Sequence, residues 1–326
     1  MTMEKVSALE VNSKHYKRTI TILGSTGSVG KSTVDLLQRH SNYYSVEALT
    51  AKDNVELLAE QARQLNVKTA VIANSKKYQE LKNILFGTHI EVAAGEEAVV
   101  EAAARPAEWV MAAIMGAAGL EPTMAAVQRG AMVALANKEC LVCAGELMMM
   151  AVKKHNAVML PVDSEHNAIF QVFDFDKVKD VEKIILTASG GPFRLMENHM
   201  MEHVTPAQAL AHPIWSMGAK ISIDSATMMN KGLELIEAHH LFGLPEDKID
   251  ILIHPQSIIH SMVSYIDGSV LAQLGTPDMR IPIAYALSWP KQRISTPSKR
   301  LDLAEISELT FTKPDVHKFP ALSLVR

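Results

Sequence analysis

The sequence predicts an α/β protein in which a doubly wound, mostly parallel sheet precedes an α+β domain. Short β-branched runs alternate with amphipathic stretches, a spacing typical of parallel strands joined by crossover helices. A glycine-rich turn follows the first run directly, and the pattern changes after Glu165. The predicted strands of the sheet are 19–23, 46–50, 69–73, 109–114, 132–136 and 158–162.

The second half of the chain is predicted to be α+β. Its last two strands flank Asp267-Gly268, a dipeptide that suits the tight turn of a hairpin. The aperiodic, proline-containing segment after residue 290 favours a linker over a packed unit. The predicted elements are a strand at 182–186, a Gly/Pro/Met-rich loop at 189–218, a long helix at 226–242 and hairpin strands at 260–265 and 269–274.

Composition favours a globular protein of about two domains that acts on small molecules. The 326 residues are 48% hydrophobic and 21% charged, with a net charge of -4 that provides no basic surface for nucleic acid. The first 18 residues lack the apolar core of a signal peptide, and no apolar run reaches membrane-spanning length. We therefore expect no membrane partner and a cytoplasmic location. Cys140 and Cys143 fall in a helical apolar pattern and are expected to be reduced core residues.

The turn after the first strand predicts a dinucleotide site. Gly24, Gly27 and Gly30 lie between that strand and an amphipathic helix, where glycine lets the backbone approach a pyrophosphate and the helix amides favour its charge. The alternative is the phosphate loop of nucleotide hydrolases, because Gly30-Lys31-Ser32 imitates its ending. That loop needs glycine where this chain has Ser25.

The residues just past the second strand leave the form of the cofactor open. They are Lys52-Asp53-Asn54. Lys52 can pair with a 2′-phosphate on the adenosine ribose, whereas Asp53 can accept a hydrogen bond from a 2′-hydroxyl.

Three carboxylates predict a divalent metal site. Asp163 and Glu165 follow the last strand of the sheet two positions apart, so that their side chains point to one side of an extended segment. Glu234, on the long helix, is a third candidate, and carboxylate oxygens suit hard ions such as Mg²⁺ or Mn²⁺. The alternative is that these acids stabilise helix starts. The nearby histidines His166, His239 and His240 are not expected to be ligands.

A phosphate site and a lid are predicted beside these acids. Ser225, Asn230 and Lys231 provide short donors and a cation along one helix, and Ser189 before Gly190-Gly191 can add another donor; each can alternatively be a helix cap or a surface group. The loop 212–218, with small residues around Trp215, is expected to close over a substrate, the alternative being that Trp215 is a buried anchor.

Seven ordered blocks of the sequence form a pattern that runs from residue 19 to about residue 320. The blocks are Gly24-Ser-Thr-Gly-Ser-Val-Gly30, Leu135-Ala-Asn-Lys-Glu139, Pro161-Val-Asp-Ser-Glu-His-Asn167, Ser189-Gly-Gly-Pro-Phe193, His212-Pro-Ile-Trp-Ser-Met-Gly218, Asp224-Ser-Ala-Thr-Met-Met-Asn-Lys-Gly232 and His254-Pro-Gln-Ser257. Together they resemble the 1-deoxy-D-xylulose 5-phosphate reductoisomerase family.

The resemblance implies a set of site residues and an NADPH cofactor. Cofactor contacts are implied for Thr26, Gly27, Ser28, Val29, Asn54, Asn137, Glu139 and Gly218. Lys52 joins this set as a candidate from its position after the second strand and not from the resemblance. Metal ligation is implied for Asp163, Glu165 and Glu234, which with Lys138 form the catalytic set. Substrate contacts are implied for Lys138, Ser164, Ser189, His212, Ser225, Asn230 and Lys231. The predicted substrate set also includes the acids Glu165 and Glu234 and, in the lid, Trp215.

The resemblance also implies a reaction and a domain plan. A deoxyketose phosphate is rearranged to a branched aldehyde, which NADPH reduces to 2-C-methyl-D-erythritol 4-phosphate, a precursor of isoprenoids; the family forms homodimers. The expected domains are an N-terminal extension (1–18), a dinucleotide-binding domain (19–163), a catalytic domain (164–290) and a linker (291–326). The linker is expected to lead toward a helical domain that the resemblance implies and that is expected to be missing here.

The sequence departs from the family at the triplet Lys52-Asp53-Asn54, which usually opens with glycine. Two alternatives to the predicted activity stay open at this point. A simple dehydrogenase of a phosphorylated alcohol would share the cofactor and phosphate sites without needing three carboxylates. A phosphosugar-binding protein would keep the pocket without turnover.

Overall fold

The computed structural model describes residues 16–211 and 218–325, which form two compact units. The first unit comprises residues up to Asp163 together with Met279–Thr296. The second comprises Ser164–Asp278 and Pro297–Arg326. These bounds differ from the predicted domains in two places, because 279–296 belongs to the first unit and 297–325 packs into the second instead of forming a linker.

The first unit is built on a seven-stranded sheet in which every neighbouring pair is parallel. The strand order is β4-β3-β2-β1-β5-β6-β7. From the centre of the sheet the chain adds strands β1 to β4 toward one edge and β5 to β7 toward the other, as in doubly wound folds. The strands are β1 (Arg18–Leu23), β2 (Tyr44–Ala51), β3 (Thr69–Ile72), β4 (Glu91–Ala94), β5 (Trp109–Ala112), β6 (Met132–Leu135) and β7 (Val158–Pro161).

Six helices connect these strands and a seventh returns from later in the chain. The connecting helices are α1 (Ser28–Arg39), α2 (Val55–Gln64), α3 (Tyr78–Ile84), α4 (Glu96–Ala104), α5 (Leu120–Gln128) and α6 (Glu139–Lys154), and the returning helix is α11 (Arg280–Ser288). The carbonyl of Ala286 accepts a hydrogen bond from the buried indole of Trp109 at 3.0 Å, which ties α11 to the sheet.

Two details of the first unit differ from the prediction. The edge strand β4 was not predicted, because Glu91-Val-Ala-Ala is short and has a single β-branched residue. Both cysteines are free, as predicted, but only Cys140 is buried. Cys143 is exposed.

The second unit is α+β, with the mixed four-stranded sheet β11-β10-β8-β9. The pair β10–β11 is the predicted antiparallel hairpin, and β8 pairs with β9 in parallel. The elements are α7 (Ser164–Val172), β8 (Val181–Ala188), α8 (Pro206–Leu210), α9 (Ala219–Ala226), α10 (Met229–Phe242), β9 (Ile249–Ile253), β10 (Ile259–Tyr265), β11 (Val270–Leu274), α12 (Leu303–Ile306) and α13 (Ala321–Leu324).

Three predictions for the second unit need correction. The helix predicted at 226–242 starts only at Met229, as α10, because Met228 adopts a left-handed conformation with φ of 61° that separates it from α9, which ends at Ala226. Strand β9 was not predicted, and the predicted loop at 189–218 contains α8 and a 3₁₀ helix at Asn198–His203. Trp215 and the rest of the predicted lid, 212–217, lie outside the described residues.

The core of the second unit includes residues from its last segment. Phe319 and Leu322 are buried in the same cluster as Val263 of β10 and Leu235 of α10. Thr312 also forms a β-bridge with Ile253 at the end of β9. The segment after residue 297 is therefore part of this unit's hydrophobic core.

Candidate active site

The turn between β1 and α1 is held by hydrogen bonds from β2 and α2. The backbone N–H of Gly24 donates to Thr50 Oγ1 at 3.0 Å, and that of Ser25 donates to the Thr50 carbonyl at 2.8 Å. The buried side chain of Gln61 donates from Nε2 to the Ser25 carbonyl at 3.1 Å. The turn thus has a defined conformation before any ligand binds.

The glycines of this turn have distinct roles. A Cβ at Gly30 would lie 2.3 Å from the Gly24 carbonyl oxygen, so the turn can close only without a side chain there. Gly24 has φ of +85°, which strongly favours glycine. The exposed Gly27 would meet its nearest neighbour only at 3.5 Å, which leaves its backbone accessible. This geometry fits a pyrophosphate at the start of α1, beside Thr26, Gly27, Ser28 and Val29.

The other predicted cofactor residues of the first unit lie at the carboxyl ends of β2 and β6. Lys52 and Asn54 are exposed, and Asn54 caps α2 by accepting from the Leu57 N–H at 3.1 Å. Asn137 is buried and donates from Nδ2 to the Gly116 carbonyl at 3.0 Å. Glu139 is the first residue of α6. All four therefore lie at the sheet edge where doubly wound folds bind ligands.

Lys138 and Asp163 form an ion pair at this same edge. Lys138 Nζ lies 2.5 Å from Asp163 Oδ2, and only 8% of the lysine side chain and 16% of the aspartate side chain are exposed. Lys138 follows β6 and Asp163 follows the neighbouring strand β7, which explains why residues far apart in sequence meet. A lysine positioned in this way can stabilise negative charge that develops on a bound oxygen.

In the second unit, Lys231 joins the other two predicted acids. Its ammonium donates to Glu165 Oε1 at 2.9 Å and to Glu234 Oε2, and only 4% of its side chain is exposed. Burial opposes the charge of Lys231, but the two carboxylates outweigh burial and raise its pKa. Two carboxylates that share one buried cation identify a place where positive charge is required.

Two further side chains orient these acids. Asn230 donates from Nδ2 to Glu234 Oε1, and Ser164 donates from Oγ to Glu165 Oε2 at 2.8 Å. Asn230, Lys231 and Glu234 lie on the first turns of α10, whereas Ser164 and Glu165 begin α7. The structure therefore brings five of the predicted residues together, the paired acids Glu165 and Glu234 included.

His166 and Glu237 form a buried pair behind the acids that the sequence prediction did not include. His166 Nδ1 lies 3.0 Å from Glu237 Oε2, with 0% and 1% of the side chains exposed. His166 Nε2 lies 2.8 Å from the Glu234 carbonyl, which can only accept, so that Nε2 donates. The pair links α7 to α10 beneath Glu165 and Glu234. The spacing of Lys231, Glu234 and Glu237 along one helical face was the available sequence signal.

His260, on β10, also lies near Glu165. It is 7% exposed, and burial lowers its pKa, while the charge of Glu165 acts in the opposite direction. Sequence reasoning missed His260 because it lies in a hydrophobic strand pattern with no distinctive spacing to the acids.

The predicted phosphate residues of the second unit come from two adjoining elements. Ser189 follows β8, and its Oγ accepts from the Gly191 N–H at 3.3 Å. A Cβ at Gly191 would lie 2.6 Å from the Ser225 carbonyl, so this loop packs closely against α9, which carries Ser225. Gly218 is exposed and begins α9 as its N-cap. His212 and Trp215 lie outside the described residues.

A cofactor and a metal ion both fit these residues on chemical grounds. The open glycine turn of the first unit suits the pyrophosphate of a dinucleotide. The carboxylates Glu165 and Glu234 offer oxygen donors alone, as hard divalent ions prefer, and already share a cation in Lys231. Fold and site together define a dinucleotide-dependent enzyme with an acidic, cation-binding centre.

Comparison with known proteins identifies the particular family. The family model of 1-deoxy-D-xylulose 5-phosphate reductoisomerase matches residues 20–145. The model of the C-terminal domain of this reductoisomerase matches residues 159–242, and a second model, of the DXP reductoisomerase C-terminal domain, matches residues 274–326. The chain belongs to the 1-deoxy-D-xylulose 5-phosphate reductoisomerase family. This confirms the resemblance noted from the sequence, the α/β fold class and the oxidoreductase class.

Curated relatives and solved structures agree with this assignment. The reductoisomerase of Rhodospirillum centenum is 62% identical over 95% of this chain and 77% of the relative, and that of Zymomonas mobilis is 58% identical over 94% and 79%. A Zymomonas mobilis structure in complex with NADPH superposes with a TM-score of 0.91 at 55% identity, covering 95% of this chain and 80% of that one. A DOX-P reductoisomerase complex with NADPH, fosmidomycin and magnesium has a TM-score of 0.91 at 44% identity, covering 95% and 78%.

Proposed function

We propose that this chain converts 1-deoxy-D-xylulose 5-phosphate to 2-C-methyl-D-erythritol 4-phosphate, with NADPH and Mg²⁺ or Mn²⁺ as cofactors. The observation that carries the proposal is the buried bridge from Lys231 to Glu165 and Glu234. A simple dehydrogenase would not need a cation-binding pair of carboxylates, whereas rearrangement of an α-hydroxyketone does. The similar structures solved with NADPH and with magnesium support the choice of cofactors.

The cofactor site is proposed to lie along the carboxyl ends of the parallel strands. Thr26, Gly27, Ser28 and Val29 would hold the pyrophosphate with backbone amides, while Gly30 keeps the turn closed. Further contacts are proposed for Lys52, Asn54, Asn137, Glu139 and Gly218.

The metal ligands are proposed to be Asp163, Glu165 and Glu234. When bound, the metal ion would polarise the carbonyl of the hydroxyketone, and NADPH would supply the hydride for the reduction. Lys138 would stabilise the negative charge that develops on the substrate oxygen, because its ammonium is already held at Asp163. The buried pair of His166 and Glu237 would keep α7 and α10 in place around the acids.

The substrate is proposed to bind through its hydroxyls and its phosphate. Ser164 would contact a hydroxyl from the start of α7. Lys231 would donate hydrogen bonds to the phosphate once a metal ion takes its place as the counter-charge of Glu165 and Glu234. The remaining proposed phosphate contacts are Ser189, His212, Ser225 and Asn230, with Trp215 as part of a closing loop.

The decisive experiment follows NADPH oxidation with 1-deoxy-D-xylulose 5-phosphate in the presence of Mn²⁺ or Mg²⁺. We expect turnover that chelation abolishes and that Glu234→Gln lowers by at least about a hundredfold, because a ligand to the metal is lost. The matched control is Glu202→Gln, the same change at an exposed position of the second unit. Both variants should keep the circular dichroism spectrum of the wild type.

Other outcomes would favour the alternatives. Oxidation that persists after chelation would point to a simple dehydrogenase. Tight binding of the substrate by folded wild-type protein without any NADPH oxidation would point to a phosphosugar-binding protein and would contradict the proposal.

We further propose that the protein is a homodimer. The edge strand β11 offers apolar side chains for such a contact, since Val270 is 50% exposed and Leu271 is 48% exposed. Light scattering coupled to size-exclusion chromatography would test this, a monomer mass being the contrary result.

No helix within the described residues is both long and apolar enough to cross a bilayer. A cytoplasmic location is proposed from the sequence, and cell fractionation with an antibody to the chain would test it.

A further inference from the structure

The end of β2 poses a question of cofactor choice that the sequence left open. In doubly wound folds, an acid just past this strand binds the 2′-hydroxyl of the adenosine ribose, whereas a basic group accommodates a 2′-phosphate. Asp53 lies at this position and taken alone would favour the unphosphorylated cofactor. The groups around Asp53 therefore determine whether the site favours a cofactor with a 2′-phosphate.

Asp53 is engaged by Asn74 from the end of the neighbouring strand β3. Asn74 donates from Nδ2 to Asp53 Oδ1 at 2.7 Å. The asparagine is itself fixed, because its backbone N–H donates to the Lys52 carbonyl at 3.1 Å and its Oδ1 accepts from the Lys76 N–H at 3.1 Å. One carboxylate oxygen of Asp53 is thus already occupied by a neutral donor.

The ammonium group of Lys77 contacts the backbone of Asp53. Lys77, on the short 3₁₀ helix Ser75–Lys77 after β3, donates from Nζ to the Asp53 carbonyl at 2.6 Å. Lys77 is half-buried, whereas the neighbouring Lys52 and Lys76 are exposed. Lys77 is therefore held beside the predicted ribose position by a contact to the backbone, while the Asp53 carboxylate bonds to Asn74.

We infer that Lys77 determines the preference of this chain for a 2′-phosphorylated cofactor, and that Asp53 opposes that preference. A phosphate monoester carries a charge of about −1.5 to −2 near neutral pH and forms strong hydrogen bonds with an ammonium group. This cation lies on the 3₁₀ helix after β3, one strand further along the chain than the position after β2 where the sequence pattern places the ribose contact. This inference rests on the proposed use of NADPH and adds the residue that selects it.

The test measures binding of two cofactor fragments to the full chain by isothermal titration calorimetry. Adenosine 2′,5′-bisphosphate carries the 2′-phosphate, and adenosine 5′-monophosphate lacks it. We expect Lys77→Gln to weaken binding of the bisphosphate by about tenfold or more, the loss of one charge-assisted hydrogen bond, and to leave the monophosphate unchanged. Asp53→Asn, which removes the repulsion, should strengthen binding of the bisphosphate only.

Lys76→Gln is the matched control, because it removes the same charge from the same 3₁₀ helix, where Lys76 meets Asn74 through its backbone N–H. We expect it to change either affinity by less than about twofold. Equal losses in the two lysine variants would overturn the inference in favour of a diffuse charge effect. An equal loss for both fragments in Lys77→Gln would overturn it in favour of a structural role.

Steady-state kinetics separates this inference from the proposed function. Lys77→Gln should raise KM for NADPH about tenfold while KM for NADH and kcat stay unchanged, since the 2′-phosphate lies far from the reacting carbon. If the wild type turns over and Lys77→Gln has the same cofactor preference as the wild type, the inference is refuted and the proposed function is retained. Selective binding of the bisphosphate without turnover would refute the proposed function alone.

Discussion

Buried charges in this protein are stabilised by compact groups of opposite charge. In the second unit, the Lys231 ammonium forms ion pairs with two carboxylates. In the first unit, the carboxylate of Glu47, on β2, forms ion pairs with two cations. Glu47 is 3% exposed, with Lys68 Nζ at 2.7 Å from one carboxylate oxygen and Arg105 Nε at 2.9 Å from the other. Removal of the central charge of either group would leave its partners without their counter-charge, which is costly where the partner is buried.

The Glu47 group gives the stability of the first unit a defined pH dependence. Burial acts to raise the pKa of Glu47, but the hydrogen bonds and charges of Lys68 and Arg105 outweigh it and lower the pKa below its ordinary value of 4.5. A depressed pKa in the folded state stabilises the fold above 4.5. That contribution is lost as the pH falls further and the carboxylate becomes protonated.

We therefore expect Glu47→Gln to lower the free energy of unfolding by about 1–3 kcal/mol at neutral pH, and by progressively less as the pH falls below 4.5. Urea denaturation at a series of pH values measures this. The exposed Glu101→Gln is the control and should have little effect at any pH. A difference between Glu47→Gln and wild type that stays constant down to acid pH would contradict the assigned ion pairs.

At the level of elements, the first turn of the sheet domain is determined by backbone geometry. Thr50 of β2 and Gln61 of α2 hold the turn, and Gly30 allows α1 to start directly against it. The shape of the turn is thus provided mainly by Thr50, Gln61 and Gly30, none of which is among the proposed cofactor contacts.

Two glycine substitutions separate folding of this turn from cofactor binding. Gly30→Ala would place a Cβ 2.3 Å from the Gly24 carbonyl, so we expect a clear fall in Tm and loss of dinucleotide binding. Gly27→Ala meets its nearest atom at 3.5 Å and should keep the wild-type Tm while weakening binding of NADPH. Differential scanning fluorimetry and fluorescence titration measure both effects; a wild-type Tm for Gly30→Ala would show that the turn can rearrange.

The break between α9 and α10 shows how an element can differ from its sequence pattern. Residues 226–242 have a continuous helical pattern, yet Met228 is left-handed and buried. The break starts a new helix at Met229, and Asn230 and Lys231 thereby fall in its first turn, close to Glu234 one turn on. Propensity alone favours the unbroken helix, so packing of the buried Met228 side chain decides the outcome.

On the scale of the whole molecule, chain segments return to units formed much earlier in the sequence. Met279–Thr296 joins the first unit, and the segment after it joins the second. In the first unit the buried Arg18 donates to the Leu287 carbonyl of α11 at 2.7 Å. In the second, Phe319 and Leu322 complete the hydrophobic core.

The last segment should therefore contribute to the stability of the second unit. Leu322 is 2% exposed and Leu324, on the same short helix α13, is 77% exposed. We expect Leu322→Ala to lower the free energy of unfolding by about 2–5 kcal/mol and Leu324→Ala by less than about 0.5 kcal/mol. Chemical denaturation followed by circular dichroism tests the pair; equal, small effects would show that the segment is a linker after all.

The sequence alone determined the parallel sheet and the glycine turn, and it predicted the three acids, because each depends on local order along the chain. Strand periodicity is written into neighbouring residues, and the ends of parallel strands must meet at one edge of the sheet. Asp163 and Glu165 could thus be predicted as candidate site residues from the end of β7, with Glu234 on the long helix as a third candidate, and the family blocks added Lys138.

Tertiary structure alone decided which charges are paired and which segments share a core. The bridge from Lys231 to Glu165, the pair of His166 with Glu237, and the contact of Lys77 with Asp53 each join different elements. Pairing across elements depends on packing distances, which no local pattern contains. The same reason explains why a proline-containing tail with no periodicity proved to be part of the core: its few apolar residues gain stability only from the surfaces that the rest of the second unit presents to them.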